Sequence, residues 1–123
     1  MTTMQGRAAV ALIAAAAGGL VWLAASGSRN AGSAPPRTHE VAIENLEFRP
    51  SVLEVAAGDR VVWTNRDLFP HTVTSPGGAF DSHDIAPGAS WAFAFETAGD
   101  LAYLCTFHPT MKGMVRVIPP GQR

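Results

Sequence analysis

Apolar and polar positions alternate with a period of two along most of the chain after residue 37. Val41 and Ile43 alternate with polar neighbours, and further apolar or β-branched runs follow at 51–55, 60–64, 91–95, 101–105 and 114–118. Gly and Pro residues separate these runs, and no segment after residue 37 has a helical period. Short strands at this spacing predict an all-β fold, a β-sandwich of about seven to eight strands in two packed sheets.

The amino-terminal end has a different pattern. Arg7 precedes an unbroken apolar run from Ala8 to Ala25, which predicts a hydrophobic helix. Its length is at the margin of what spans a bilayer, so residues 1–26 are either a signal peptide or a signal anchor. A Gly/Ser/Pro-rich linker at 27–37 leads to the sandwich domain at 38–123. We therefore expect a periplasmic or otherwise extracytoplasmic protein, with membrane anchoring by residues 8–25 left open.

Composition narrows the function classes. The chain has 123 residues, which is one domain and too few for a multidomain enzyme. All ten acidic residues follow residue 37, with six of the nine Lys and Arg residues, so the domain has a net charge of −4. A nucleic-acid binder needs clustered basic residues, and we expect no nucleic-acid partner.

The only cysteine lies in a segment rich in metal-binding side chains. Cys105, His108 and Met111 fall within seven residues, and His71 lies upstream after Pro70. Two His nitrogens and one Cys sulfur, with a weak axial Met, form the site described for blue copper electron transfer. Thiolate and thioether favour Cu(I) and imidazole accepts Cu(II), so this donor set suits one copper ion that changes oxidation state.

This segment, together with Asn65-Arg66 and Pro70-His71, resembles the cupredoxins, the type 1 blue copper proteins, and within them the amicyanins. Plastocyanins and pseudoazurins are longer-loop relatives. The resemblance covers about residues 38–118 and implies a Greek-key β-sandwich. It also implies that copper is held by three equatorial ligands, His71, Cys105 and His108, and by one axial ligand, Met111.

The resemblance implies further roles around the ligands. Asn65 would tie the His71 loop to the Cys105 loop through Thr106. His108 would be partly exposed within an apolar collar, for which the candidates are Phe69, Pro70, Phe107 and Pro109. The sequence departs from amicyanin-like loops at Phe107, where these tend to carry Pro, and this affects loop packing and potential rather than the ligands.

Several alternatives remain open from the residues. Met114 is a second candidate for the axial group, and His39 and His83 are minor candidates as ligands. The favoured function is a one-electron carrier, a monomer without enzymatic activity, that docks transiently with redox proteins as electron donor and acceptor. The alternatives are a copper storage or delivery protein and a structural zinc site, although a fourth Cys or His for zinc is missing from the set.

Overall fold

The computed structural model of the protein describes residues 34–122. The expected hydrophobic helix, the signal peptide or anchor at 1–26 and most of the linker at 27–37 lie outside these residues. They stay predictions, as do the domain boundaries. In the described part of the chain, no helix has the length and apolar character needed to cross a bilayer.

Seven strands form two sheets in residues 34–122. They are β1 (Thr38–Glu44), β2 (Glu47–Arg49), β3 (Val52–Ala56), β4 (Arg60–Asn65), β5 (Ser90–Ala94), β6 (Gly99–Leu104) and β7 (Lys112–Ile118). One sheet has the order β2-β1-β4-β5 and the other β3-β7-β6. The β1–β4 and β3–β7 pairs are parallel, and the other neighbours are antiparallel. This arrangement confirms the all-β sandwich.

The period-two pattern correctly placed six of the strands, and burial of alternate side chains is clearest in β1, β4 and β7. In β4, Val61, Trp63 and Asn65 are buried, whereas the residues between them are half-buried. Strand β2 was not picked out from the sequence. It has three residues, of which only Phe48 is buried, and so short a segment carries no readable period.

A tight turn joins β1 to β2. Asn45 and Leu46 have φ of 53° and 60°, and Glu44 pairs with Glu47 on either side of them. Two consecutive residues with positive φ are the mark of a type I′ hairpin turn, which prefers Asn and Gly. Leu46 is therefore in a conformation that its side chain disfavours.

The core between the sheets is built around Trp63. Its ring lies 5.5 Å from the rings of Trp91 and Tyr103, and its Nε1 donates to the Tyr103 hydroxyl at 3.2 Å. Phe95 is also buried, whereas Trp91 and Phe93 are half-buried at the edge of the core. These aromatic side chains are packing residues, as the alternation predicts.

A close contact between neighbouring strands makes a glycine necessary beside Tyr103. Gly113 pairs with Tyr103 across β6 and β7, and a Cβ at this position would overlap the end of the tyrosine ring. The glycine therefore leaves the space that the Tyr103 side chain fills.

The two ends of the sandwich are distinct. At one end, called here the distal pole, Arg37 O accepts a bond from Arg60 N, and Phe95 pairs with the turn at Gly58 and Asp59. The opposite end, called here the metal pole, contains the end of β4, the end of β6 and the loop 105–111. The chain thus enters the sandwich at the distal pole, at the start of β1.

Candidate metal centre

Three residues that the sequence analysis named as ligands meet at the metal pole. His71, Cys105 and His108 each offer one ligand atom, and these atoms all lie within 4.8 Å of one another. His71 and Cys105 are fully buried, and His108 is half-buried. Within residues 34–122 this group contains no further His, Cys, Asp or Glu.

Backbone pairing brings His71 next to Cys105. His71 exchanges backbone hydrogen bonds with Ile85, at 3.1 and 2.7 Å, inside the long connection between β4 and β5. Three residues later Thr74 exchanges two bonds of 2.9 Å with Leu104, the last residue of β6. The segment 71–74 therefore runs beside the end of β6, where Cys105 follows.

The His71 ring is held from one side and faces the thiol on the other. Its Nε2 lies 2.9 Å from Oδ2 of Asp67, and its Nδ1 lies 3.6 Å from Sγ of Cys105. A carboxylate accepts only, so the proton of a neutral His71 belongs on Nε2. Nδ1 is then the nitrogen with a lone pair available to a metal ion.

The second imidazole gives the clearest sign of a metal site. Nδ1 of His108 is buried and has no hydrogen-bond partner among the described residues. Buried polar atoms nearly always have a hydrogen-bond partner. The unpartnered Nδ1 of His108 is therefore free to bind a metal ion. One thiolate and two imidazoles fit a copper ion, and they are also donors that zinc accepts.

The loop from Cys105 to Met111 is closed by its own backbone. Cys105 N donates to Met111 O at 3.0 Å, and His108 N donates to Cys105 O at 3.2 Å. Met111 N donates to His108 O at 2.8 Å. The three residues that carry sulfur or imidazole are thus fixed relative to one another by main-chain bonds.

The two methionine candidates for an axial ligand differ in position. Met111 lies in the closed loop and is 4% exposed. Met114 lies in β7 between the half-buried Gly113 and the buried Val115. Because successive strand residues point to opposite faces, Met114 is directed away from the core side that Val115 occupies. This geometry favours Met111 over Met114.

The two ligand loops are linked by a different residue from the one expected. Thr106 N donates to Thr72 Oγ1 at 2.9 Å, and the two hydroxyls lie 3.1 Å apart. Thr72 N also approaches Cys105 Sγ at 3.4 Å. The residue that reaches Thr106 is therefore Thr72, which the sequence analysis did not single out.

Asn65 organises the His71 side of the site instead. Its Nδ2 donates to the carbonyls of Phe69 at 2.7 Å and Ile85 at 2.9 Å. Its Oδ1 accepts from Asp67 N at 2.9 Å, and the side chain is fully buried. The amide thus shapes the loop before His71, and none of these hydrogen bonds goes to Thr106.

Asp67, which was not predicted from the sequence, is a hydrogen-bond acceptor beside His71. Its carboxylate accepts from the backbone N–H groups of Asn45 at 2.7 Å and Leu46 at 2.9 Å, in addition to His71. Burial alone would raise the pKa of Asp67, but the bonds from Leu46 and Asn45, with that to His71, lower the pKa below the ordinary carboxyl value. Asp67 is therefore a carboxylate at neutral pH.

Exposed apolar side chains lie on the loops that carry the cluster and on the β1–β2 turn, which is bonded to Asp67. We call this surface the apolar rim and define it by Leu46, Leu68, Phe69 and Phe107, with exposed fractions of 45%, 86%, 59% and 49%. Phe69 and Phe107 are two of the expected collar residues, and the other two, Pro70 and Pro109, are exposed as well. Exposed large apolar groups at one end of a small domain are typical of a protein interaction surface.

The two remaining histidines lie apart from the cluster. His39 Nε2 lies 2.8 Å from Asp59 at the distal pole. His83 is exposed, with its Nδ1 3.8 Å from Asp81 Oδ2. Neither belongs to the group that could hold a metal.

Comparison with known proteins identifies the family. The cupredoxin-like domain family matches residues 12–117. Amicyanin-alpha of Methylorubrum extorquens is 32% identical over 100 residues, which is 77% of this chain and 84% of that protein. The chloroplastic plastocyanin of Tetradesmus obliquus is 32% identical over 120 residues, 87% of this chain and 80% of the relative.

Solved structures agree with this result. A Cu(I) structure of an amicyanin mutant superposes with a TM-score of 0.63 at 29% identity, covering 66% of this chain and 82% of the amicyanin. A copper-containing nitrite reductase from Thermus scotoductus gives a TM-score of 0.64 at 27% identity, covering 71% of this chain. The match spans 24% of the reductase chain, so the likeness is to one part of that enzyme.

Proposed function

The chain belongs to the cupredoxin-like family, and from this premise we propose that it is a small blue copper protein that carries single electrons between redox partners. The observation that supports this most directly is the meeting of His71, Cys105 and His108, in which the buried Nδ1 of His108 has no partner within the described residues. Copper bound there would supply a centre that alternates between Cu(I) and Cu(II).

The protein would contribute rigidity and position. We assign His71, Cys105 and His108 as ligands and Met111 as the axial ligand. The main-chain bonds that close the 105–111 loop hold Cys105, His108 and Met111 in one arrangement, and backbone pairing with Ile85 holds His71, so little would have to move when the charge at the centre changes. Asn65 and Thr106 would support the loops on either side, through the contacts described above.

The apolar rim is the proposed docking surface for an electron donor and an acceptor. It includes Phe107, the chain neighbour of His108, and His108 is the only half-buried member of the cluster, so a partner bound there would lie close to that imidazole. Contacts through apolar side chains without extensive polar complementarity suit short-lived complexes. The work of such a carrier needs no bond making, and we propose that the protein is not an enzyme.

An extracytoplasmic location is part of the proposal. It depends on the hydrophobic segment at 8–25, which precedes the linker. Amino-terminal sequencing of the protein isolated from cells would test it: a start after about residue 26 means cleavage, and an intact segment in the membrane fraction means anchoring.

The decisive experiment is to load the protein with copper and titrate it with a reductant while recording the visible spectrum. We expect an intense visible band that disappears and returns with one electron per protein. A protein that binds copper tightly but shows no reversible titration would instead favour copper storage or delivery. Preference for zinc, without a visible band on copper addition, would favour a structural site.

A further inference from the structure

We propose that Asp67 is a positioning residue of the metal centre, and that its carboxylate sets the His71 ring and the β1–β2 turn in one contact. The carboxylate receives three donors: Asn45 N, Leu46 N and His71 Nε2, at 2.7, 2.9 and 2.9 Å. The inference uses the ligand set proposed above, but it does not depend on electron transfer.

The carboxylate of Asp67 determines which ring nitrogen of His71 carries the proton. A neutral imidazole carries one ring proton, and a carboxylate beside Nε2 stabilises the form that has the proton there. The opposite form would place the Nε2 lone pair against a negative oxygen inside a fully buried ring, with no proton to share. Asp67 therefore keeps Nδ1 of His71 unprotonated and directed at the Cys105 sulfur, 3.6 Å away.

The same carboxylate also stabilises the β1–β2 turn. Leu46 has a φ of 60°, a left-handed conformation that is disfavoured for a residue with a side chain. Two backbone N–H groups of the turn donate to the same carboxylate, and bonds to a charged acceptor are stronger than neutral ones. The carboxylate thus offsets the strain of the turn while it holds the ligand.

Asp67 is itself held in place by the loop that carries it. Its side chain is 11% exposed, and its backbone N donates to Asn65 Oδ1 at 2.9 Å. Asn65 is in turn bonded to the carbonyls of Phe69 and Ile85. The position of the carboxylate is therefore set by the framework and not by the metal.

The test compares the parent protein with Asp67→Ala, with Asp100→Asn as a matched control. Asp100 is an exposed carboxylate whose partner is Arg116, at 3.1 Å. Nitrogen-15 NMR of the metal-free proteins reports which ring nitrogen of His71 carries the proton, and competition with a chelator gives the Cu(II) affinity. We expect Nε2–H in the parent and the control. In Asp67→Ala we expect a mixture of the two forms and about 10–100-fold weaker copper binding.

A second variant separates positioning from folding. Adding Leu46→Gly to Asp67→Ala gives the turn an Asn-Gly sequence, which adopts positive φ without help. The double variant should recover stability but not the Nε2–H form or the copper affinity. Asp67→Asn should restore the Nε2–H form, because its amide oxygen still accepts from the ring.

A folded Asp67→Ala or double variant that keeps the Nε2–H form and copper affinity within about twofold of the parent would overturn the proposal. The metal-free NMR result does not depend on the protein's role. Failure of the parent to undergo one-electron titration would therefore refute the proposed function without touching this inference.

Discussion

The protein contains two Asp–His pairs of nearly the same length at opposite poles of the sandwich. Asp67 and His71 lie 2.9 Å apart at the metal pole, and Asp59 and His39 lie 2.8 Å apart at the distal pole. In both pairs the carboxylate also accepts backbone N–H groups. The pairs differ in which member is fully buried. At the metal pole the imidazole of His71 is 0% exposed, whereas at the distal pole the carboxylate of Asp59 is 0% exposed.

The buried member decides what each pair does. At the metal pole the buried ring presents its second nitrogen to a thiol, so the carboxylate serves a ligand. At the distal pole Asp59 accepts from Arg37 N at 2.9 Å and Ala56 N at 3.0 Å. It therefore joins the start of β1 to the turn before β4, and the partly exposed His39 adds one more hydrogen bond to this contact. The same chemical pair thus serves a metal centre in one place and the closure of the fold in the other.

The largest effect is expected from a substitution that disrupts the metal pole alone. Cys105→Ser replaces the thiol with a poor copper ligand, so the visible band of the copper-loaded protein should be lost completely. The free energy of unfolding of the metal-free protein should change by no more than about 2 kcal/mol. His39→Ala is the matched control at the other pole and should keep the band. Visible absorption and urea unfolding measure both, and a band that persists in Cys105→Ser would contradict the ligand assignment.

A substitution at the distal pole should instead lower stability and leave the copper band unchanged. Asp59→Ala leaves buried donors without their acceptor, so it should lower the free energy of unfolding by about 3–5 kcal/mol. The copper band of the folded fraction should be unchanged. Urea titration with and without copper tests this, and Asp59→Asn serves as a milder variant. A loss of less than about 1 kcal/mol would show that the two poles are less distinct than the geometry indicates.

Alkaline pH should weaken the core that separates the poles. Burial raises the pKa of Tyr103 to about 12, although the bond from Trp63 lowers it in part. The unfolded chain would lose this proton near pH 10, before the folded protein does, so stability is intact below about pH 10 and falls as the pH rises toward 12. The loss should reach about 2–3 kcal/mol.

Tyr103 is the only tyrosine, so its tyrosinate absorbance reports the ionisation directly. Urea unfolding at a series of pH values should show the decline in the parent and a much smaller one in Tyr103→Phe. A tyrosinate signal that already appears near pH 10 in the folded protein would contradict the assigned burial.

The smallest effect concerns the glycine beside this tyrosine. Gly113→Ala introduces a Cβ into space that the Tyr103 ring occupies, and overpacking of this kind costs about 1–3 kcal/mol. Gly77→Ala is the control, since its Cβ would meet only Ser75 Oγ, at 3.9 Å. Thermal unfolding should separate the two variants, and equal stability would mean that the ring shifts freely.

How far the sequence could be interpreted varies with the element. The strands with clear alternation were predicted correctly, because burial of one face acts at each residue along the strand. Strand β2 was missed because a single buried residue, Phe48, gives no period. Cys105, His108 and Met111 were recognised as a group because a spacing of three residues fits one short loop.

The sequence by itself determined the alternation that builds two sheets and the thiol, imidazole and thioether that share the 105–111 loop. Both are local properties, set by residue type and by separations of a few positions. Only the tertiary structure decided that His71, 34 residues before Cys105, faces the thiol through Nδ1. It also decided that Thr72, not Asn65, reaches Thr106, and that Asp67 holds both the ring and a turn some 20 residues earlier. These contacts depend on how the long connection after β4 crosses to β6, and that path is fixed by backbone pairing that no local pattern encodes.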